Sequence, residues 1–461
     1  LAPLSEGTAQ LREVEEFLAD FPDTLAVDVI FADLSSVVRG KRYPVADLPR
    51  IFTDGLAFPA SSYLLDTSGA NTDAGGKGFS DGDPDCRAVP IPNTLDRVPW
   101  SAQPLAQVLL TFLDKQDQPL FFEPRNVLGR VVRQLKEELG LTACVAFELE
   151  FYLIDRVRAD WGAPQPPISP ATGERDRATQ VYGMDQVDAF GRVLTDIVDS
   201  CRAQGVPTGA ISAEYAPGQF EINLRHVDDP LAAADDCVLF KRAVKGVARK
   251  YDMQATFMAK PYPEEAGNGM HLHVSLFDES GRNVLDDGEG GISETFRNAL
   301  GGILETLPEA MAFLAPNLNS YRRYQPNIYV PIRRSWAEEN RSVALRVPLG
   351  KGSAKRVEHR VSGADANPYL ALASVLAGMH HGIANQVDPG PQAEGNAGTS
   401  FDPGLPMRPR RALDRLKRGK ILRDYLGKDY VDLYVEAKDA EYETFEAAIT
   451  PQEYQWYLLA D

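Results

Sequence analysis

Residues 145–154 read VAFELEFYLI, and the fold turns on how this stretch is paired. Glu148 and Glu150 alternate with Phe147, Leu149 and Phe151. Successive side chains of a strand point to opposite faces, so a strand here carries one apolar face and one carboxylate face. Four other segments repeat the pattern. In GQFEINL (218–224), Glu221 and Asn223 alternate with Phe220, Ile222 and Leu224; in GMHLHVSLF (269–277), His271, His273 and Ser275 alternate with Leu272, Val274 and Leu276. In SVALRVPL (342–349), Arg346 lies between Leu345 and Val347; in RVEHRV (356–361), Arg356, Glu358 and Arg360 alternate with Val357, His359 and Val361. For one segment alone, a half-exposed strand with a solvated polar face is the simpler reading. As a set the segments read differently, because their polar faces hold carboxylates, imidazoles, arginines and short polar groups. A shared polar cavity between strands accounts for that composition.

The cavity inventory is Glu148, Glu150, Glu214, Glu221 and Glu358, with His271. Carboxylates crowded together repel, and burial raises their pKa values. Hard divalent cations remove that penalty, and oxygen-rich ligation favours Mg²⁺ or Mn²⁺ over zinc. Arg323, Arg341, Arg346, Arg356 and Arg360 match phosphate or carboxylate, which a planar guanidinium binds bidentately. Metals beside arginines point to phosphoryl transfer from a nucleotide. No G-x-x-x-x-G-K-[ST] loop is present, and GNGM (267–270) runs into a His-rich strand rather than a helix, so neither a P-loop nor a dinucleotide fingerprint is read.

Working outward, residues 9–20 place Leu11, Val14, Phe17 and Leu18 at helical spacing. TLAVDVIFADLSSVVRGKRYPV (24–45) reads as two strands around a turn, and QVLLTFLDKQDQPL (107–120) as a hairpin. Residues 66–89 form a Gly/Asp-rich loop too long for a simple connector. The texture changes at Pro124, where RNVLGRVVRQLKEELGL begins an amphipathic helix, so the chain divides into residues 1–118 and 119–461. Residues 161–173 and 386–411 are Pro/Gly-rich loops, residues 367–383 a buried Ala-rich helix, and the tail is helical and charged.

The 461 residues carry 48 Lys+Arg against 66 Asp+Glu, a net charge of −18, which argues against a nucleic-acid partner because phosphate backbones need Lys/Arg surfaces. Hydrophobic residues at 44% and charged residues at 25% are those of a globular chain. There is no uninterrupted apolar run of membrane-spanning length. The start, LAPLSEGTAQLREVEEF, lacks the basic flank and apolar run of a signal peptide. Cys86, Cys144, Cys201 and Cys237 form no C-x-x-C pair and read as small buried hydrophobes of a reduced, cytoplasmic protein. His226, His359, His380 and His381 read as surface or packing residues.

Seven strings in order, FELEF (147–151), EYAPGQFEI (214–222), FMAKP (257–261), NGMHLHVSL (268–276), NSYRRY (319–324), ENRSVALRVP (339–348) and RVEHRVSGADANPYL (356–370), resemble the glutamine synthetase superfamily over nearly the whole chain. Its γ-glutamylputrescine synthetase branch is the most similar. The resemblance implies an α+β protein: an N-terminal β-grasp domain (1–118) and a catalytic domain (119–461) whose curved antiparallel sheet forms a funnel surrounded by helices. It also implies a homo-oligomer of stacked hexameric rings, each active site shared between neighbouring subunits.

Carried over by position, the resemblance makes Glu150, Glu214 and Glu221 ligands of one metal, and Glu148, His271 and Glu358 ligands of a second, with two or three Mg²⁺ or Mn²⁺ ions per site. His273 and Ser275 would approach ATP. Arg323 and Arg360 would hold the carboxylates of L-glutamate near the Gly267 backbone, and Arg341, Arg346 and Arg356 would face the phosphates. Arg341 and Arg323 are the candidates for catalysis. The resemblance implies ATP-dependent ligation of the glutamate γ-carboxylate to a primary amine, putrescine or another polyamine, through γ-glutamyl phosphate. True ammonia-dependent glutamine synthetase is the alternative, as is a ligase for another small alkylamine. Two positions favour an alkylamine. Ammonia-using relatives carry an acid where Pro59 stands in FPASS (58–62), and a Glu where Tyr329 stands in QPNIYVP (325–331). The base that deprotonates the amine stays open between Glu339 and a loop acid of a neighbouring subunit. The family's adenylylated N-L-Y-D-L loop is not found.

Overall fold

The computed structural model describes residues 6–177 and 180–460; the first five residues of the N-terminal reading lie outside them. The N-terminal part contains the helices α1 (Glu6–Asp20) and α2 (Leu48–Asp54) and the strands β1 (Ala26–Ala32), β2 (Val38–Pro44), β3 (Leu56–Pro59), β4 (Asp85–Pro90), β5 (Asp96–Arg97) and β6 (Leu105–Leu113). The sheet order is β2-β1-β6-β4-β3, with β5 also on β6; β1 and β6 are parallel and the other pairs antiparallel. Phe31, Phe58, Tyr63 and Phe112 pack its core, with ring centroids 4.7–5.6 Å apart. The predicted hairpin after β6 is a turn with a single bridge, Leu113 to Pro119, because Asp114 Oδ1 takes the N–H groups of Gln116 and Gln118 and closes the turn locally.

The second part begins with α3 (Pro124–Leu139). Pro124 opens the helix, and Gly140 at φ +67° ends it, its N–H donating to Leu135 and Lys136 carbonyls. Then follow β7 (Thr142–Asp155), α4 (Met184–Ala189), α5 (Gly191–Arg202), β8 (Thr208–Ala213), β9 (Gln219–Leu224), α6 (Pro230–Lys250), β10 (Met253–Thr256), β11 (Met270–Phe277) and α7 (Glu294–Leu314). β12 (Trp336–Glu338), β13 (Leu345–Val347), β14 (Val357–His359), α8 (Pro368–Asn385), α9 (Pro409–Arg418), α10 (Ile421–Leu426), α11 (Lys428–Glu446) and α12 (Pro451–Tyr457) complete it. All five alternating segments are strands of one eight-stranded sheet of order β12-β13-β14-β11-β7-β9-β8, with β10 on the far end of β7. Among the described residues no helix is long and apolar enough to cross a membrane.

The apolar face of this sheet is buried: Phe147, Leu149, Phe151, Phe220, Ile222, Leu272, Val274 and Val357 are nearly inaccessible. α6 covers part of it, with the Phe240 ring 6.3 Å from Phe151. The opposite side of α6 meets the N-terminal sheet. Arg242 donates to Gln107 Oε1 at 2.7 Å and to Asp28 Oδ2 at 2.7 Å, and a Cβ at Gly246 would run into the Trp100 indole. Arg242→Ala is expected to cost about 2 kcal/mol, because it leaves Asp28 and Gln107 short of a charged donor. A lower thermal unfolding midpoint followed by circular dichroism checks this, and an unchanged midpoint contradicts it.

Candidate active site

Register builds the polar face. His271 pairs with Glu148, Glu148 with Asn223, and Glu150 with Glu221. One step along, His273 pairs with Glu358, and Glu358 with Arg346. Residues from strands far apart in sequence therefore lie directly opposite one another. Gly269, just before β11, makes the approach possible: a Cβ there would stand 3.1 Å from His271 Nε2 and 3.2 Å from Arg323 Nη2.

Glu148 is the hub. It accepts from Asn223 Nδ2 at 2.7 Å, meets His271 Nδ1 at 2.8 Å and meets His273 Nε2 at 3.3 Å. Burial would raise its carboxyl, but the hydrogen bonds and charge of the two imidazoles override that and hold it well below the usual range. Glu358 is pulled down to about 2; burial opposes this, and the Arg360 guanidinium, then His271 and His273, outweigh it. Arg346 Nη1 donates to Glu358 Oε2 at 2.8 Å, and Arg360 Nη1 bonds its other oxygen. Glu221 and Glu214 go the other way. Burial, then the charges of Glu148, Glu150 and Glu214, lift Glu221 far above its ordinary value. Burial, then Glu150 and Glu148, lift Glu214 to about 8, with Arg341 and Arg360 opposing.

Among the described residues, two donor sets have ligand atoms within 4.8 Å of one another: Glu148, Glu221 and His271, and Glu148, His273 and Glu358. These groupings cut across the division implied by the resemblance, since His273 joins one of them and Glu148 belongs to both. Glu150 accepts from the Gly269 N–H at 2.6 Å. Arg356 Nε donates to His273 Nδ1 at 3.2 Å. Arg323 and Arg360 are buried, yet the Nε of each, like that of Arg346, has no hydrogen-bond partner among the described residues. Arg323 lies against Gly267, whose carbonyl accepts from Gln219. Ser275 donates to the Lys355 carbonyl at 2.9 Å. Arg341 is exposed on a turn near Tyr182. Tyr329 is exposed and stands beside Tyr215. Pro59 is opposite Asp85 in the N-terminal sheet.

Asn223 and His226 neighbour this face without a role expected from the sequence, and Glu339 is the base candidate. Asn223 was visible as the second polar residue of its strand but has no charge to mark it. His226 lies 6.1 Å, ring to ring, from His273, and burial, followed by the His273 and Arg356 charges, lowers it to about 4. Glu339 accepts from the Leu349 N–H at 2.6 Å and pairs with Arg346 at 3.4 Å, so its carboxylate is already engaged. Of the packing histidines, His359 is buried on the apolar face, whereas His380 meets the Tyr425 hydroxyl at 2.6 Å.

An α+β chain with a curved sheet, one face apolar and one face lined with carboxylates, imidazoles and arginines, is the frame of a glutamine-synthetase-type ligase. Residues 121–457 match the glutamine synthetase catalytic domain, and the chain belongs to the glutamine synthetase family. It is 44% identical over 454 residues, 98% of this chain and 95% of the relative, to γ-glutamylputrescine synthetase PuuA of Escherichia coli (strain K12). It is 33% identical to the glutamate–isopropylamine ligase of a Pseudomonas species, over 85% of each chain. To the glutamine synthetase of Halobacterium salinarum it is 30% identical, over 98% of each. Among solved structures, a GmaS/ADP complex superimposes with a TM-score of 0.81 at 26% identity, covering 96% of this chain and 99% of that one.

Proposed function

We propose that this protein is an ATP-dependent glutamate–amine ligase that joins the γ-carboxylate of L-glutamate to a primary amine, putrescine or another polyamine. The observation that carries the reading is the polar face itself, where unpartnered guanidinium nitrogens adjoin carboxyls that crowd one another. Glu148, Glu150, Glu214, Glu221, His271 and Glu358 would hold Mg²⁺ or Mn²⁺. The fit is supported by the raised Glu214 and Glu221 carboxyls, whose mutual repulsion a hard dication relieves. When bound there, such ions neutralise charge on the transferring phosphoryl group.

The chain's own residues account for the rest. Arg323 and Arg360 would orient glutamate through its carboxylates, with the Gly267 backbone alongside. Arg341, Arg346 and Arg356 would face the triphosphate of ATP, with His273 and Ser275 on the nucleotide side. A γ-carboxylate oxygen attacks the γ-phosphorus and ADP leaves, giving γ-glutamyl phosphate. The amine, having given up its ammonium proton to a base, attacks the acyl carbon through its lone pair; phosphate leaves, taking up the second N–H proton, and the amide forms. Arginines aimed at the transferring group lower the barrier because they need no reorganisation as charge develops.

For the amine, the likeness to a γ-glutamylputrescine synthetase at 44% identity and to an isopropylamine ligase at 33% supports an alkylamine over ammonium. Pro59 and Tyr329 add to this, standing where ammonia-using relatives have acids. The protein is read as a cytoplasmic homo-oligomer of stacked hexameric rings with active sites shared between subunits, so Pro59 would reach a neighbour's site; no nucleic acid or membrane partner is proposed. The division at residues 118/119 separates the N-terminal domain from the catalytic one.

An amine panel with glutamate, ATP and Mg²⁺, read by ADP release and by the mass of the amide, tests the function. Putrescine is expected to give γ-glutamylputrescine at a kcat/KM about a hundredfold or more above that for ammonium, the discrimination available when a site is built around groups the competitor lacks. Equal or better turnover with ammonium would make the protein a glutamine synthetase.

A further inference from the structure

Tyr215 and Tyr329 come from different loops, one leaving β8 and one within residues 325–333, yet their rings stand 6.3 Å apart and are inclined by 31°. Both are open to solvent, at 49% and 61% exposure, which is unusual for two large rings brought together by the fold. Tyr215 directly follows Glu214, so the pair borders the acid cluster. Tyr182, also exposed, is tied to the same strand end by its N–H to the Ala213 carbonyl at 2.9 Å, and its phenol feels the charges of Glu214, Glu221 and Arg341. The loop carrying Tyr329, QPNIYVPIR (325–333), contains no Asp or Glu. Its backbone is anchored by the Asn327 N–H to the Gly398 carbonyl at 2.8 Å.

We propose that Tyr215 and Tyr329 form the element that selects a linear diamine, gripping its hydrocarbon chain and holding its distal ammonium against their ring faces. This rests on the proposed amine ligation and assigns the residues that decide which amine is taken. The two ends of a diamine have different tasks. The reacting nitrogen must lose its proton to attack, whereas the distal nitrogen stays charged. A carboxylate at the entrance would attract ammonium and alkylammonium alike. An aromatic face attracts a cation through its quadrupole and adds apolar contact with methylenes, so it favours an ammonium that carries a hydrocarbon arm. The exposure of the rings leaves those faces open, and the Tyr329 loop itself brings no carboxylate.

The test is the ratio of kcat/KM for putrescine to kcat/KM for n-butylamine, which has the same four-carbon chain without the distal nitrogen. The ratio cancels the concentration of active enzyme. Wild type is expected to favour putrescine by about tenfold, and Y215L/Y329L to bring the two amines to near parity, while Y215F/Y329F keeps most of the preference. If the leucine double variant makes no product, Tyr215→Leu alone provides the same ratio. A wild-type enzyme that does not distinguish the two amines, or a leucine variant that keeps the wild-type ratio, overturns the selection element while leaving amine ligation intact. No amide from any amine removes the ligation reading and this one with it.

Discussion

Glu148→Gln is expected to lower amide formation on the order of a thousandfold while the protein stays folded, because the change removes one negative charge from the centre of the acid face and little volume. Glu148 is the residue shared by both sets of convergent donor atoms. It also receives Asn223, His271 and His273, so one carboxylate ties three strands' polar side chains together. Glu148→Ala should do more. It strands two imidazoles and an amide in a largely buried site, at a cost of about 3–5 kcal/mol to the fold. The pair of variants separates the two roles. Coupled ADP release gives the activity and thermal unfolding gives the stability. Glu148→Gln activity within a few-fold of wild type would sink the assignment of this face as the catalytic centre.

The stabilisation given by Mg²⁺ or Mn²⁺ is expected to grow as pH rises from about 6 to above 8. In the metal-free protein Glu214 titrates near 8 and Glu221 higher still, chiefly because burial and then neighbouring carboxylates penalise their charged forms. An unfolded carboxyl titrates at about 4.3, so between that pH and about 8 the folded protein binds more protons than the unfolded one. Stability from these groups therefore falls with rising pH across that window. A bound dication takes the place of those protons, removes the repulsion and binds more tightly as they become easier to displace. At a hundred times its dissociation constant it adds about 2.7 kcal/mol. Melting curves with EDTA and with excess Mg²⁺ at several pH values should therefore diverge as pH increases. A constant separation, or one that narrows, would show that these carboxyls are not the ligands.

The alternating strands were legible because period-two patterning is a local property of the chain, and each apolar set had to be buried whatever it met. The helices at 124–139 and 368–385 were legible for the same kind of reason: Pro124 and Gly140 bracket one, and the Asn367 side chain caps the other by accepting from Tyr369 and Leu370. The hairpin expected at 107–120 failed in its second arm, where an aspartate-centred turn satisfied the backbone that a strand would have used. Asn223, His226 and Tyr215 went without a role because nothing in a polar or aromatic residue, taken alone, tells which neighbours the fold will bring to it.

From its residues alone the protein carries strands with one acidic, imidazole- and arginine-bearing face, a donor set suited to hard cations and phosphate; charge and donor type need no coordinates. Which carboxylate shares its space with which imidazole was decided only by the pairing of β7 with β9 and β11, and of β11 with β14. That pairing sets strand against strand from across the chain, and a slip of one residue would turn every one of these side chains into the core. Tertiary structure likewise set Glu148 and Glu358 low, through imidazole and guanidinium groups, and Glu214 and Glu221 high, through burial and neighbouring carboxylates, none of which sequence distance brings near.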